Sequence, residues 1–360
     1  MKKINVGIIF GGESTEHEVS RRSAVHVIDS LDKSKFDFRL IEVTKSGGIN
    51  MYDKCDADVA CKEILNIDNS LGKNKAEISE ALFADNDIDI AFPVIHGTGG
   101  EDGVLQGFLE MCGIPYVGSP VASSAIGFDK AVSKILFSNA GIPQAVYISI
   151  TSENVDYKQL LEEVEEKLGY PVFIKPSNGG SSVGIYKVKN SEGLESAVKK
   201  ASAYDRKIII EAFVPGREFE CAVIGGFEDV TALGVGEIVP CNEFYDYNAK
   251  YIDEDSIGII PAPIESKLID EIKHLSIKAY KTIGGYGLSR VDFFVTDDGD
   301  IILNEINTMP GFTSISMYPK LWVAAGGSNT ELMNRLIDLA FERENKYKFL
   351  KDYCGEPENV

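Results

Sequence analysis

The sequence predicts a mixed α/β protein, in which an α/β domain with a parallel sheet precedes an α+β part. Two patterns lead to this prediction: apolar runs alternate with helical repeats up to Pro120, and strand-like runs dominate from Lys207 onward. The chain has 360 residues, of which 44% are hydrophobic and 26% charged. These are ordinary globular values, and the length allows two or three domains.

Hydrophobic spacing predicts the N-terminal elements. Residues 4–10 form an apolar run that Gly11 and Gly12 end, as expected of a buried strand. The helix that follows is predicted from Ala24, Val27, Ile28 and Leu31, which recur at helical spacing. Further strands are predicted over 38–43 and 88–95, and a helix over 104–111, whereas the less regular polar stretch 53–86 is not assigned to any element.

The pattern changes after Pro120. One helix is predicted over 122–140, and an amphipathic helix over 157–168 with Ser152 as its N-cap and Gly169 as its stop. The tail from residue 342 to residue 360 is polar and predicted to be peripheral. Strands are predicted over 170–176, 207–214, 218–224 and 230–239, then a long helix from Ile264, then a strand pair between Arg290 and Asn307.

Composition argues against several classes of partner. The net charge of −20 disfavours binding to nucleic acid or to an anionic membrane, so a phosphate ligand must be held by a few lysines, amides and metal ions. Six scattered cysteines without CxxC spacing indicate reduced thiols in a cytoplasmic protein. The N-terminus lacks a signal-peptide cleavage site, and no apolar run approaches the ~18 residues of a membrane span.

A predicted hairpin places carboxylates opposite each other. Asp298-Gly299 between two β-rich runs predicts a two-residue turn. Asp292 then faces Glu305, and Arg290 and Asn307 project from the same face. Opposed carboxylates repel unless a cation lies between them, and an oxygen-only set of ligands suits Mg²⁺. The alternative is a solvated end of the sheet.

Several loops follow predicted strands. Lys175 precedes the glycine- and serine-rich loop 177–184, whose amides suit a phosphate, although a plain flexible loop is an equal alternative. Loops 11–18 and 96–103 lie where open α/β sheets bind ligands, and His96 has a structural role as its alternative. The aromatic stretch 242–251 suits a lid or a packed surface loop.

Together these segments strongly resemble the D-alanine–D-alanine ligases, members of the ATP-grasp carboxylate–amine ligases. The resemblance implies three domains, 1–121, 122–214 and 215–360, with ATP held between the last two. It also implies an enzyme that makes D-alanyl-D-alanine for peptidoglycan through an acyl phosphate. The matching motifs are GGESTEHEVS, HGTGGEDGVLQG, DKAVSK, IKPSNGGSSVG, FYDYNAKY, SRVDFF and NEINTMPGFTSISMYP.

The resemblance implies roles for matching residues. Two Mg²⁺ ions, replaceable by Mn²⁺, are expected on Asp292, Glu305 and Asn307. The residues expected to bind ATP are Lys130, Lys175, Ser182, Glu211, Phe213, Val214, Glu218, Phe244 and Lys250. The residues expected to bind D-alanine or act in catalysis are Glu16, His96, Ser181, Tyr251, Arg290, Gly311, Ser316 and Met317.

The identity of the acceptor stays open within the resemblance. The tyrosine- and lysine-bearing lid motif favours an amine acceptor over D-lactate, and Met317 beside the acceptor pocket favours D-alanine over D-serine. Two alternatives remain: a D-alanine–D-serine ligase of a vancomycin-resistance system, and a non-catalytic ATP-grasp regulator. Family membership further implies a homodimer formed through the N-terminal domain.

Overall fold

The computed structural model describes residues 2–52, 61, 64, 88–239 and 257–353, with the backbone alone over 348–353. Within these residues three β-sheets follow one another along the chain, and helices cover them. The predicted α/β class is confirmed, and the parallel sheet comes first as expected.

The first sheet is built around β1 (Ile4–Gly11), which is buried beyond its first residue. It pairs in parallel with β2 (Phe36–Val43) and β4 (Ile90–Pro93), while β3 (Ile49–Met51) adds an antiparallel edge. Helix α1 (His17–Ser30) begins shortly after β1. Because parallel strands end at the same edge, the loops that follow β1 and β4 lie side by side.

The second sheet has the order β5-β8-β6-β7 and is antiparallel. Its strands are β5 (Tyr147–Thr151), β6 (Val172–Pro176), β7 (Tyr186–Val188) and β8 (Lys207–Ala212). Alternation divides the residues of β6 and β8 between two faces. One face is apolar and packs in the core of this unit, whereas the other carries Lys175 and Glu211.

The third sheet has the order β11-β10-β9-β12-β13, again antiparallel. Its strands are β9 (Arg217–Gly225), β10 (Val230–Val239), β11 (Ile257–Ile259), β12 (Gly287–Val295) and β13 (Ile301–Asn307). The predicted strand over 230–239 is confirmed with the same bounds.

The remaining helices cover these sheets and confirm the predicted helix over 104–111 and the long helix after Ile264. In chain order they are α2 (Val104–Met111), α3 (Val121–Phe128), α4 (Lys130–Asn139), α5 (Tyr157–Lys167), α6 (Leu194–Ala201), α7 (Ser266–Thr282), α8 (Met317–Ala324) and α9 (Asn329–Tyr353).

The prediction of one helix over 122–140 is wrong, because the chain breaks at Asp129. There the backbone is extended, with φ −85° and ψ 96°, and the carboxylate accepts a hydrogen bond from the Val132 amide at 3.3 Å. Aspartate favours such caps because its short side chain competes for nearby backbone amides. Asp129 therefore begins α4 rather than continuing α3.

The N-cap predicted for α5 is also wrong. Asp156, not Ser152, accepts hydrogen bonds from the amides of Lys158 and Gln159, both at 3.1 Å. The predicted stop is confirmed: Gly169 has a φ of +68°, where glycine is the least strained residue.

The polar tail is not peripheral in its first part. Helix α9 includes Arg343, which is only 3% exposed. Its guanidinium donates to the carbonyls of Tyr116, at 2.8 Å, and Gly118, and lies 4.0 Å from the Tyr116 ring centroid. A residue of the tail that was predicted to be peripheral thus holds the segment that leads out of the first sheet.

The hairpin reaches the predicted pairing by a different route. The turn has three residues rather than two: Thr296 donates to the Asp300 carbonyl at 3.0 Å, and Gly299 has a φ of +86°. A bulge at Asn304 then shifts the register by one residue, so that Asp292 still faces Glu305. The bulge leaves Leu303 in the apolar core and Glu305 on the opposite face.

Candidate active site

A cavity of about 350 Å³ lies between the second and third sheets. One side comes from β6, β8 and the glycine- and serine-rich loop, and the other from β9, β10, β12 and β13. Seven of the nine residues expected to bind ATP line it: Lys130, Lys175, Ser182, Glu211, Phe213, Val214 and Glu218. Phe244 and Lys250 lie outside the described residues, as does Tyr251.

The apolar part of the cavity suits a flat ring. Phe173, Phe294 and Ile302 line it, and none of them was expected from the sequence. The rings of Phe173 and Phe213 lie 6.0 Å apart between centroids, and Lys187 Nζ lies 4.4 Å from the Phe213 centroid. Alternation along β6 and β12 could have found these aromatic residues once the cavity face was known.

The polar part of the cavity carries lysines and a buried carboxylate. Glu211 is 4% exposed and lies 2.5 Å from the Nζ atoms of both Lys134 and Lys175. Burial by itself raises the pKa of Glu211, but the two ammonium groups outweigh it and lower that pKa to about 2. Lys134 belongs to the DKAVSK motif but received no role from the sequence.

The loop after β6 is anchored at its start. Lys130 and Ala131, the first residues of α4, donate backbone hydrogen bonds to the carbonyl and hydroxyl of Ser177, both at 3.0 Å. The Ser177 hydroxyl donates to Asp129 at 2.6 Å, and the Lys130 ammonium to the Gly179 carbonyl at 2.7 Å. The helix start and the loop therefore form one cradle beside the cavity.

The tip of this loop reaches the first sheet. The Ser181 hydroxyl donates a hydrogen bond to the Glu16 carboxylate. Ser181 and Ser182 have φ values of 50° and 59°, a left-handed conformation that costs a residue with a side chain on the order of 1 kcal/mol. A Cβ on Gly97 or Gly180 would lie 2.8 Å from Glu16 Oε2. The carboxylate thus occupies a space that only glycines leave open.

His96 is a buried link between the first and third sheets. Its Nε2 lies 2.9 Å from the Ser23 hydroxyl, and its Nδ1 lies 3.1 Å from the Met309 carbonyl and 3.6 Å from Glu101. Burial by itself lowers the pKa of His96, but Glu101 and Glu16 outweigh it and raise that pKa. Ser23 and Glu101 are partners that the sequence did not reveal.

The structure brings the predicted metal ligands together. Asp292 accepts two hydrogen bonds from Arg290, both at 2.7 Å, and one from the Asn307 amide at 3.0 Å. Glu305 pairs with Lys130 at 3.3 Å and lines the cavity. Within the described residues no three His, Cys, Asp or Glu side chains form a metal-binding group. The set nevertheless fits Mg²⁺, which takes one or two carboxylates plus waters and phosphate oxygens.

The loop between β13 and α8 carries the remaining predicted residues. A Cβ on Gly311 would lie 3.1 Å from Ser316 Oγ, so these two positions are adjacent. Ser316 Oγ accepts a hydrogen bond from the Thr313 amide at 3.0 Å. Met317 is 7% exposed, and its sulfur lies 2.5 Å from where a Cβ on Gly236 would stand. Its side chain therefore packs against β10.

Comparisons with known proteins agree with this geometry. A family model described as D-ala D-ala ligase N-terminus matches residues 5–119, and one described as D-ala D-ala ligase C-terminus matches residues 136–338. The chain is 45% identical to a D-alanine–D-alanine ligase of Acetivibrio thermocellus, covering 98% of this chain and 99% of that protein. It is 43% identical to the D-alanine–D-alanine ligase A of Escherichia coli, with coverages of 98% and 99%.

Solved structures show the same likeness. The D-alanine-D-alanine ligase of Coxiella burnetii superposes with a TM-score of 0.81 at 30% identity, covering 98% of this chain and 99% of that one. The VanG D-Ala:D-Ser ligase of Enterococcus faecalis gives a TM-score of 0.81 at 34% identity, with coverages of 94% and 100%. Within the described residues, no helix has both the length and the apolar character needed to cross a bilayer.

Proposed function

Since the chain belongs to the D-alanine–D-alanine ligase family, we propose that it joins two D-alanine molecules into D-alanyl-D-alanine, a precursor for peptidoglycan, while converting ATP to ADP and phosphate. The observation that carries the proposal is the hydrogen bond from Ser181 to Glu16. It joins the loop expected to hold the first D-alanine to the loop that borders the lysine-lined cavity.

The reaction has two steps because a free carboxylate is a poor acyl donor. The carboxylate of the first D-alanine attacks the γ-phosphorus of ATP, which forms an acyl phosphate and releases ADP. The amine of the second D-alanine then attacks the acyl carbon, loses a proton, and phosphate leaves. Phosphoryl transfer of this kind depends mainly on positioning and on stabilisation of negative charge.

The cavity supplies the ATP site in this proposal. Lys130 and Lys175 hold the phosphates, and the amides near Ser182 cover them. Glu218 binds the ribose hydroxyls, and Glu211, Phe213 and Val214 border the base. What supports these assignments is that all seven side chains line one cavity with a cationic and an aromatic part. Phe244 and Lys250 are assigned to the base and the γ-phosphate by family resemblance.

Arg290 and the Gly311 amide are assigned to the oxyanion of the second step. Two hydrogen bonds to Asp292, both at 2.7 Å, hold the Arg290 guanidinium at this end of the hairpin, and an oxyanion is stabilised by such a fixed cation. Glu16 holds the ammonium of the first D-alanine with His96 nearby, and Ser316 holds the carboxylate of the second. Met317, whose side chain packs against Gly236 of β10, is assigned to the wall of the acceptor site.

Asp292, Glu305 and Asn307 are assigned to two Mg²⁺ ions, which Mn²⁺ could replace. When bound, these ions neutralise charge on the phosphate oxygens. The pairing of Asp292 with Glu305 across β12 and β13 supports the assignment, because it places the two acidic residues directly opposite each other on neighbouring strands, with Glu305 in the cavity lining.

The attacking amine must lose a proton. We assign to this step a hydrogen-bonded line that runs from Tyr251 through Ser181 to Glu16. We expect Tyr251→Phe to slow dipeptide formation more than it weakens ATP binding. Equal rates in the two enzymes would remove Tyr251 from the mechanism.

We also propose a cytoplasmic homodimer whose domains are residues 1–121, 122–214 and 215–360. Each proposed domain contains one of the three sheets. Exposed Val104 and Met111, at 66% and 88%, offer apolar surface for contacts between N-terminal domains.

The test is phosphate release from ATP and Mg²⁺ with D-alanine alone, then with D-serine or D-lactate added, with products identified by mass. D-alanyl-D-alanine should dominate, in line with the relatives of 43–46% identity. A D-serine product would favour the activity named for the VanG structure. ATP binding without turnover with any pair would refute an enzymatic function and favour a regulator.

A further inference from the structure

One buried carboxylate lies between two lysines at the inner wall of the cavity. Glu211 Oε1 is 2.5 Å from Lys134 Nζ, and Glu211 Oε2 is 2.5 Å from Lys175 Nζ. Glu211 thus contacts both ammonium groups at once, and each lysine forms a buried ion pair with it. The lysine–glutamate cluster, Lys134, Lys175 and Glu211, therefore carries one net positive charge.

The two lysines differ in what they can reach. Lys175 lines the cavity, and its ammonium also contacts Asn304 Oδ1 at 3.4 Å. Lys134 lies behind Glu211, outside the cavity lining, and only 3% of its side chain is exposed. It follows Lys130 by four residues on α4, so Lys130 faces the cavity one turn earlier. An anion in the cavity can thus contact Lys130 and Lys175 but not Lys134.

We propose that Lys134 is a positioning residue for nucleotide binding. It remains the counter-ion of Glu211 at all times, so that Lys175 can leave Glu211 and bind a phosphate. This proposal rests on the proposed function, which assigns Lys175 to the ATP phosphates.

The physical reason is competition for Lys175. Glu211 stays ionised at neutral pH. Burial favours its protonated form, but the two ammonium groups outweigh burial and lower its pKa to about 2. If Lys175 were its only partner, binding a phosphate would leave a buried carboxylate without a counter-ion, which is strongly unfavourable. Because Lys134 keeps that charge paired throughout, the free energy that Lys175 gains from a phosphate is not offset by the cost of leaving Glu211 unpaired.

The first experiment compares ATP dissociation constants by titration calorimetry. Lys134→Met, which removes the charge but keeps the length, should weaken ATP binding about tenfold or more, while the KM for D-alanine stays the same. Lys134→Arg, which keeps the charge, should recover most of that affinity. Lys199→Met serves as the control, because Lys199 is exposed and its ion pair with Glu195, at 2.6 Å, lies on the surface of α6.

The decisive measurement uses Glu211→Gln as a second background, in which no carboxylate needs a counter-ion. There, Lys134→Met should change the ATP dissociation constant less than about twofold relative to Glu211→Gln alone. This comparison also holds if the single Lys134→Met variant fails to fold. An equal loss in both backgrounds would overturn the proposal, since Lys134 would then act independently of Glu211. An unchanged affinity in Lys134→Met would overturn it as well.

Failure of the proposed function gives a different result. If Lys175→Met binds ATP as tightly as the unaltered enzyme, Lys175 does not hold the phosphates, and the ATP site itself is assigned wrongly. If Lys175→Met weakens binding but Lys134→Met does not, only the role of Lys134 is refuted.

Discussion

The Ser181 hydroxyl donates a hydrogen bond to the Glu16 carboxylate, although 165 residues separate the two along the chain. Glu16 precedes α1 at the edge of the first sheet, and Ser181 lies at the tip of the loop that covers the cavity. This contact is where the substrate loop and the phosphate loop meet, so its loss should affect the chemical steps more than the binding of ATP.

Ser181→Ala should therefore lower kcat about 10- to 100-fold and change the ATP dissociation constant less than about twofold. Hydrogen bonds to charged groups contribute about 1.5–3 kcal/mol, which corresponds to that range of rates. Since Ser181 has a φ of 50°, Ser181→Gly is the matched control for backbone strain. Normal turnover in Ser181→Gly would show that strain, not the lost hydroxyl, had slowed Ser181→Ala.

Asp292→Asn should raise the Mg²⁺ concentration needed for half-maximal activity about tenfold or more, because the substitution removes one of two opposed carboxylates. Activity measured over a range of Mg²⁺ concentrations gives this value. Asp297→Asn, in the exposed turn of the same hairpin, should leave it unchanged. An unchanged Mg²⁺ requirement in Asp292→Asn would remove this residue from the metal site.

Stability should fall as the pH rises above about 6.5. The pKa of His96 is raised, because the carboxylates of Glu101 and Glu16 outweigh the effect of its burial, and its unfolded value is about 6.5. A raised folded-state pKa means that the folded protein holds protons more tightly than the unfolded chain. The stability that His96 contributes is fully present below its pKa in the unfolded chain and is lost as the pH rises through its pKa in the folded protein.

Glu101→Gln should flatten this dependence, as measured by urea unfolding at about pH 6.5 and pH 8.5. The exposed variant Glu192→Gln should keep the slope of the unaltered protein. If both variants show the same slope, the pair of His96 and Glu101 does not produce it.

Arg343→Met should lower the free energy of unfolding by about 2–4 kcal/mol, because the carbonyls of Tyr116 and Gly118 lose their buried donor. On the same helix, Arg335→Met removes only an exposed pair with Glu342 at 2.8 Å and should cost less than about 1 kcal/mol. Chemical denaturation of the two variants provides the comparison. Equal losses would mean that the contacts of Arg343 carry no special weight.

The hairpin shows how a correct pairing can follow from a wrong turn. The sequence places Asp292 opposite Glu305 through a two-residue loop, and the structure does so through a three-residue loop and a bulge at Asn304. Alternation alone would have placed Leu303 on the same face as the carboxylates. The bulge keeps Leu303 in the apolar core. That core is formed by residues distant in sequence, so the alternation within β13 cannot indicate it.

By itself, the sequence determined the mixed α/β class, the strands β6, β8, β9, β10, β12 and β13 around the cavity, the face of the hairpin that carries Asp292, and the family, through motifs that span the chain. Those properties depend on local spacing and on short segments, which a sequence displays directly. Only the tertiary structure decided that Lys134 lies against Glu211, that Asp129 ends one helix and begins another beside Ser177, and that Arg343 is buried. These contacts join distant segments, so they arise from how the elements pack, and no periodicity within one element could specify them.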